Sequence, residues 1–256
     1  MIRPYEDDPH ALVAEHLVRL YLRLNGYMLL GGYLLHRPRG AEEGLRTEID
    51  ALAVRFPYQR EPLHEPQGRA EQENDPALVS PKKSGLVDFI VAEVKTGKKL
   101  PCFNPPLVNE DRGAKQNLED VLNMLGCFEN EQEIATAGDS LLKQLQKPSW
   151  GHPPTYKLTS GNAQIRFLLF WDPPDQEGAE RFFIPLSHIL EFVARRTEQG
   201  VSCACYPRWE AKWRGAPYYI LKAIDALRPQ GNVCENLKEV EDHILRSLGK
   251  GALQFL

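Results

Sequence analysis

The stretch Val91-Ala92-Glu93-Val94-Lys95 sets an acid and a lysine two residues apart inside an apolar, β-prone run. Side chains of a strand alternate between its faces, so Glu93 and Lys95 point the same way, roughly 7 Å apart along the strand. Hiding charge in a sheet is costly unless the charges pair with each other or with a metal. A second β-prone run, Thr47 to Val54, carries Asp50 at its centre. Two adjacent strands presenting Asp50, Glu93 and Lys95 on one face would form a small site suited to a divalent cation and a phosphodiester.

The rest of the chain supplies enough material to bury such strands. It has 256 residues, 42% of them hydrophobic, enough for one sizeable core with or without a small appendage. The net charge is −4, so the molecule as a whole is no polycation, and nucleic-acid contact requires a local basic patch. Its five cysteines are odd in number and scattered, and Cys203-Ala204-Cys205 without a second pair is a weak zinc signal. A reduced, cytoplasmic setting fits this usage. No secretory leader is evident at the N-terminus, and no apolar run is long enough to cross a bilayer.

Asp8-Pro9 reads as a helix start, with the helix running from about His10 to Asn25 and stopping at Gly26. On it Glu15 lies at the edge of the apolar stripe, and His16, Arg19 and Arg23 gather on one side. Tyr27 to His36 reads as a strand bent at Gly31-Gly32. Phe56 to Gly85 holds five prolines, four glutamates and three glutamines, the composition of a long loop or mobile insertion. Leu86 to Lys95 is a buried strand, Pro101 to Glu110 a loop, and Gln116 to Phe128 a helix. Asp139 to Lys147 is a shorter helix, and Lys147 to Gly161 a loop. Ile165 to Trp171 and Arg181 to Leu186 form a hairpin, and Ser187 caps a helix to about Gln199. Helices near 218–227 and from Asn232-Glu235 onward close the chain. The order implies an α/β or α+β fold, a mixed central sheet flanked by helices. Its organisation is a core over 1–200, with the loop insertion at about 56–85, and a helical C-terminal extension over 201–256 packed on that core.

Glu15 on an early helix, Asp50 within Glu-Ile-Asp-Ala-Leu-Ala, and Glu93-Val94-Lys95 at a strand end resemble the PD-(D/E)XK nuclease superfamily. The flavour is nearest to its Holliday-junction-resolvase and Mrr-type branches. The resemblance covers about the first half of the chain, plus the strand at Ile165 to Trp171. It implies a restriction-endonuclease-like α-β-β-β-α-β core. It also implies Mg²⁺ (or Mn²⁺) held by Asp50, Glu93 and the Val94 carbonyl, with Lys95 assisting the attacking water and Glu15 completing the site. The residue types suit that chemistry, because phosphodiester hydrolysis needs a hard cation and Mg²⁺ prefers carboxylate and water oxygens. A lysine beside the metal can stabilise developing negative charge. The long Asp50-to-Glu93 separation departs from the family, because the insertion must loop aside for the two strands to pair. Asp88 is a rival acid, but it alternates to the opposite strand face from Glu93.

The expected function is therefore metal-dependent hydrolysis of DNA by a defence- or repair-type endonuclease. The expected partners are DNA and, for cutting both strands, a second copy of the chain. No organic cofactor and no membrane are expected. Candidate nucleic-acid contacts are Lys98 and Lys99 just past the motif, Lys115 and Gln116 opening the next helix, and Arg208, Lys212 and Arg214 interleaved with aromatic rings. Against each stands a plainer reading as solvated surface or tertiary packing. The alternative function is a non-catalytic or partner-activated module of a DNA-processing or defence assembly. In a third reading, Glu93 and Lys95 merely pair within an unrelated α/β protein.

Overall fold

A computed structural model describes residues 9–30, 33–35, 47–57, 74–78, 85–96, 102–147, 151–171, 182–198, 216–227 and 237–248. Helix α1 (Pro9–Leu24) opens with Pro9, whose missing N–H costs nothing in a first turn. It ends in a Schellman motif: Gly26 takes φ 81° and the Tyr27 and Gly26 amides bond the Leu22 and Arg23 carbonyls. The helix is buried over most of its circumference, with Val13, Leu17, Leu20 and Tyr21 all at 1% exposure or less.

Strands β1 (Met28–Leu30), β4 (Ala51–Arg55), β5 (Val87–Lys95), β7 (Ala163–Trp171) and β6 (Thr155–Lys157) form a five-stranded mixed sheet in the order β1-β4-β5-β7-β6. Only β5 and β7 are parallel, and the register runs straight across the sheet: Leu29, Ala53, Ile90, Arg166 and Thr155 lie in one row. Strands β2 (Tyr33–Leu35) and β3 (Thr47–Ile49) make a separate antiparallel pair. The sequence run Tyr27 to His36 is thus divided between two sheets on either side of Gly31-Gly32. The run carrying Asp50 is divided as well, with Asp50 at a bend between β3 and β4.

The sheet is covered on both faces, and the alternation of β5 assigns them. Ile90 and Ala92 enter an apolar layer with α1, α5 (Leu186–Glu198), α6 (Ala216–Leu227) and α7 (Leu237–Leu248). Val91 enters a second layer with α2 (Pro105–Val108), α3 (Ala114–Leu125) and α4 (Glu131–Gln146). Near-continuous burial of β5 and β7 is what such a two-sided covering demands. Gly138 lets α4 approach α3 closely, since a Cβ there would lie 3.2 Å from Glu119 Cγ.

Several sequence expectations need correction. Ile184 forms a parallel bridge to Phe170, so Arg181 to Leu186 does not return as a hairpin strand. The stretch expected as a loop over Lys147 to Gly161 contains β6, and Pro101 to Glu110 contains α2. Helix α4 begins at Glu131, two turns ahead of the expected start, with Asn130 Oδ1 accepting from the Glu133 amide at 2.9 Å. Helix α5 begins at Leu186, which makes Ser187 a helical residue rather than the cap. Most of the insertion over 56–85 lies outside the described residues, but 74–78 are docked. Leu78 is buried in the α1 layer, the Asp75 amide donates to Asn25 Oδ1 at 2.7 Å, and Tyr21 Oη donates to Asp75 Oδ2 at 2.9 Å.

Candidate active site

The C-terminal end of β5 pairs Glu93 with Lys95, and the bend before β4 sets the Asp50 carboxylate on the Val94 amide between them. Odd-numbered side chains of β5 face the α3 layer, so Glu93 and Lys95 share a face, and Lys95 Nζ donates to Glu93 Oε1. Glu93 is 2% exposed, a burial that an isolated carboxylate would not tolerate. Lys95 is held from the other side by Asn104 Oδ1 at 3.0 Å. Asn104 stands at the N-cap position of α2, yet its side chain makes no cap bond there; its oxygen is turned to the lysine.

The bend explains how Asp50 reaches this point. The β4–β5 register pairs Ala51 with Ala92, and a continued ladder would set residue 49 opposite Val94. Instead the chain turns at Asp50, and its Oδ2 accepts the Val94 amide at 2.6 Å. Ile49 and Leu52 both enter the α3 layer, which unbroken alternation would forbid; the bend shifts the phase by one residue. Val87 donates its amide to Asn162 on the β7 side. Strand residues turn N–H and C=O to the same edge, alternating along the chain, so even-numbered residues of β5 face β4. The Val94 carbonyl is thus directed to the side where Asp50 stands.

Glu15 approaches from α1. Its Oε2 accepts from Arg19 Nη2 at 3.2 Å, one helical turn on. Arg19 in turn donates to the Asp50 backbone carbonyl through Nη2 at 2.9 Å and Nε at 3.3 Å. Glu15 is therefore linked to Asp50 through Arg19, a residue that helical spacing puts on the polar side of α1. The i, i+4 spacing of Glu15 and Arg19 was the available signal. Asn104 had a weaker one, the Asn-Pro-Pro start of a short helix.

Asp88 sits on the opposite face, as strand alternation requires. It is bound by Arg166 through both Nε and Nη2, by Gln164 at 2.9 Å and by Tyr27 Oη. Burial and the neighbouring Asp88 charge push the Tyr27 hydroxyl pKa well up, which keeps it a neutral donor. This cluster lies at the start of β5, away from Glu93.

Lys115 and Gln116 open α3. Lys115 Nζ bonds Asp139 of α4 at 2.7 Å, which raises its pKa, and Gln116 donates to Asp120 at 3.0 Å. Both partners are on the outer surface of the helical pair. Lys98, Lys99, Arg208, Lys212, Arg214 and the Cys203–Cys205 pair lie outside the described residues.

Asp50 and Glu93 offer hard carboxylate oxygens, the donor type that Mg²⁺ takes, and a carboxylate can accept a hydrogen bond and ligate through its remaining lone pairs. The residues present thus fit a divalent cation by chemistry. Among the described residues no group of three or more His, Cys, Asp and Glu is gathered as a metal cluster. A two-carboxylate site would complete its coordination with backbone, water and substrate oxygens. No helix among the described residues is long and apolar enough to cross a membrane. No protein-family model, curated protein or solved structure matches this chain.

Proposed function

We propose that the chain is a metal-dependent nuclease of restriction-endonuclease-like fold that hydrolyses phosphodiester bonds of DNA. The observation that carries this reading is the convergence of the Asp50 carboxylate on the backbone between Glu93 and Lys95. β4 and β5 pair although the insertion lies between them in sequence, which supports the reading. The chain order of α1, the antiparallel set β1, β4 and β5, then α3 and the parallel β7 also supports it, because it follows the α-β-β-β-α-β scheme.

Asp50, Glu93 and the Val94 carbonyl would hold Mg²⁺ or Mn²⁺, which when bound neutralises charge on the phosphate and lowers the pKa of a ligated water. Lys95 supplies a second positive charge at the same point. Its ammonium stabilises negative charge growing on the phosphate oxygens, and Asn104 keeps it from swinging into solvent. Burial of Glu93 strengthens these interactions by lowering the local dielectric. Glu15 supports the site from α1.

The test is incubation of plasmid, single-stranded and branched DNA with the protein and Mg²⁺ or Mn²⁺. Cleavage is expected, and it should fall at least about 100-fold in Lys95→Ala and in Glu93→Ala, the scale on which one lost transition-state contact acts. Cleavage that persists in both variants removes the site assignment. Absence of cleavage together with absence of Mn²⁺ binding by calorimetry selects the non-catalytic or partner-activated module.

A further inference from the structure

We infer that Arg19 is a positioning residue for Asp50, and that Glu15 acts on the site through Arg19. This inference rests on the nuclease reading for its functional consequence, but its structural content stands apart from it. The bend takes Asp50 out of the regular ladder, and its carbonyl is met by two N–H groups of one guanidinium, at 2.9 and 3.3 Å. A planar guanidinium on an anchored stem fixes direction as well as distance, which a lysine cannot do. Glu15 sets the rotamer of that stem from one turn earlier, in the favourable acid-before-base order.

Asp50 is consequently held at both ends. Its carbonyl is fixed by α1 on one face of the sheet, while its side chain bonds the Val94 amide of the neighbouring strand. Loosening the carbonyl end lets the bend rotate. The carboxylate then leaves Val94, and with it the position from which it would meet a cation beside Glu93. Small displacements of this kind reduce turnover strongly while leaving substrate binding largely intact.

The experiment compares wild type with Arg19→Ala, Arg19→Lys, Glu15→Ala and the Glu15→Ala/Arg19→Ala double variant. The first readout is native-state hydrogen exchange of the Val94 amide, with Leu118 in α3 as internal reference. Exchange at Val94 is expected to rise about tenfold in Arg19→Ala and Arg19→Lys, the scale of one lost charge-assisted hydrogen bond, with Leu118 unchanged. The second readout is cleavage kinetics: kcat falls and KM stays within about twofold, and the double variant is no worse than Arg19→Ala alone. Unchanged Val94 exchange in both Arg19 variants overturns the clamp. A further loss of kcat in the double variant overturns the assignment of Glu15 to Arg19. Wild-type protein that neither cleaves nor binds Mn²⁺ defeats the nuclease reading, and the exchange data still decide the clamp. If Arg19→Ala does not fold, Arg19→Lys, which keeps charge and stem, carries both readouts.

Discussion

Asp75 is a buried carboxylate with three donors around it. Burial pushes its pKa up, but hydrogen bonds from His188, the Ala77 amide and Tyr21 outweigh that and hold it below its ordinary value of 3.8. The bond to Asp75 in turn raises the His188 imidazole above 6.5, against the opposing effect of burial; Glu191 adds to the rise and Arg195 subtracts from it. The signs give a window. A raised histidine contributes stability below 6.5 and loses it as pH climbs through the raised value. A lowered aspartate contributes above 3.8 and loses it as pH falls. The pair therefore stabilises fully between those two values. The Tm difference between wild type and His188→Gln should be largest near about pH 5.5 and shrink by about pH 9. A difference that is constant across that range would show that the pair does not titrate as described. None of this was legible in the sequence, because Asp75 lies in a segment whose composition reads as loop and His188 is 113 residues away. The Glu93–Lys95 pairing was legible, since two residues of one strand carry their own geometry.

At the scale of elements, Asp88 and Arg166 join the two parallel strands, and Tyr27 adds the exit of α1 to the same junction. Breaking a buried pair leaves a charge without compensation, at a cost of about 3–5 kcal/mol. Arg166→Met should lose that much in urea unfolding, and Asp88→Leu/Arg166→Met should lose distinctly less, because no charge is stranded. A double variant as unstable as the single one would contradict the pairing argument. Elements were readable where burial enforces a period: α1, β5, α3 and most of β7 lie where apolar spacing puts them. They were unreadable where a neighbour decides the state. Thr155–Lys157 becomes β6 because β7 offers it an edge, and Ile184 makes one bridge because α5 begins two residues later. The first two turns of α4 carry Ile134 as their one large apolar residue, too little for an apolar period, and Asn130 and Glu133 are the signals that mark the start. The apolar run Thr47 to Val54 reads as one strand with Asp50 in its middle. Its bend depends on the carboxylate bonding an amide 44 residues onward, which no local pattern contains.

For the whole molecule, the sheet divides the interior into two apolar layers that share one wall. Ile90 and Val91 are adjacent in sequence yet enter opposite layers, so neither layer can dissolve without exposing the strand that builds the other. Leu17→Ala in the α1 layer and Leu118→Ala in the α3 layer should each cost about 2–5 kcal/mol. Both should shift a single unfolding transition followed by far-UV circular dichroism. Two separated transitions in either variant would mean that the layers fold independently. The architecture class was open to the sequence reading because alternating helices and strands with buried β-runs allow few arrangements. The straight register of the sheet has a further effect at the site. In the row through Ile90 the described sheet is five strands across, but at Glu93 only β7 still continues the ladder, beside the single bridge of Ile184. On the β4 side the described ladder therefore ends at Ala92, and the Val94 amide two residues on is taken by a side chain, Asp50, instead of a backbone carbonyl.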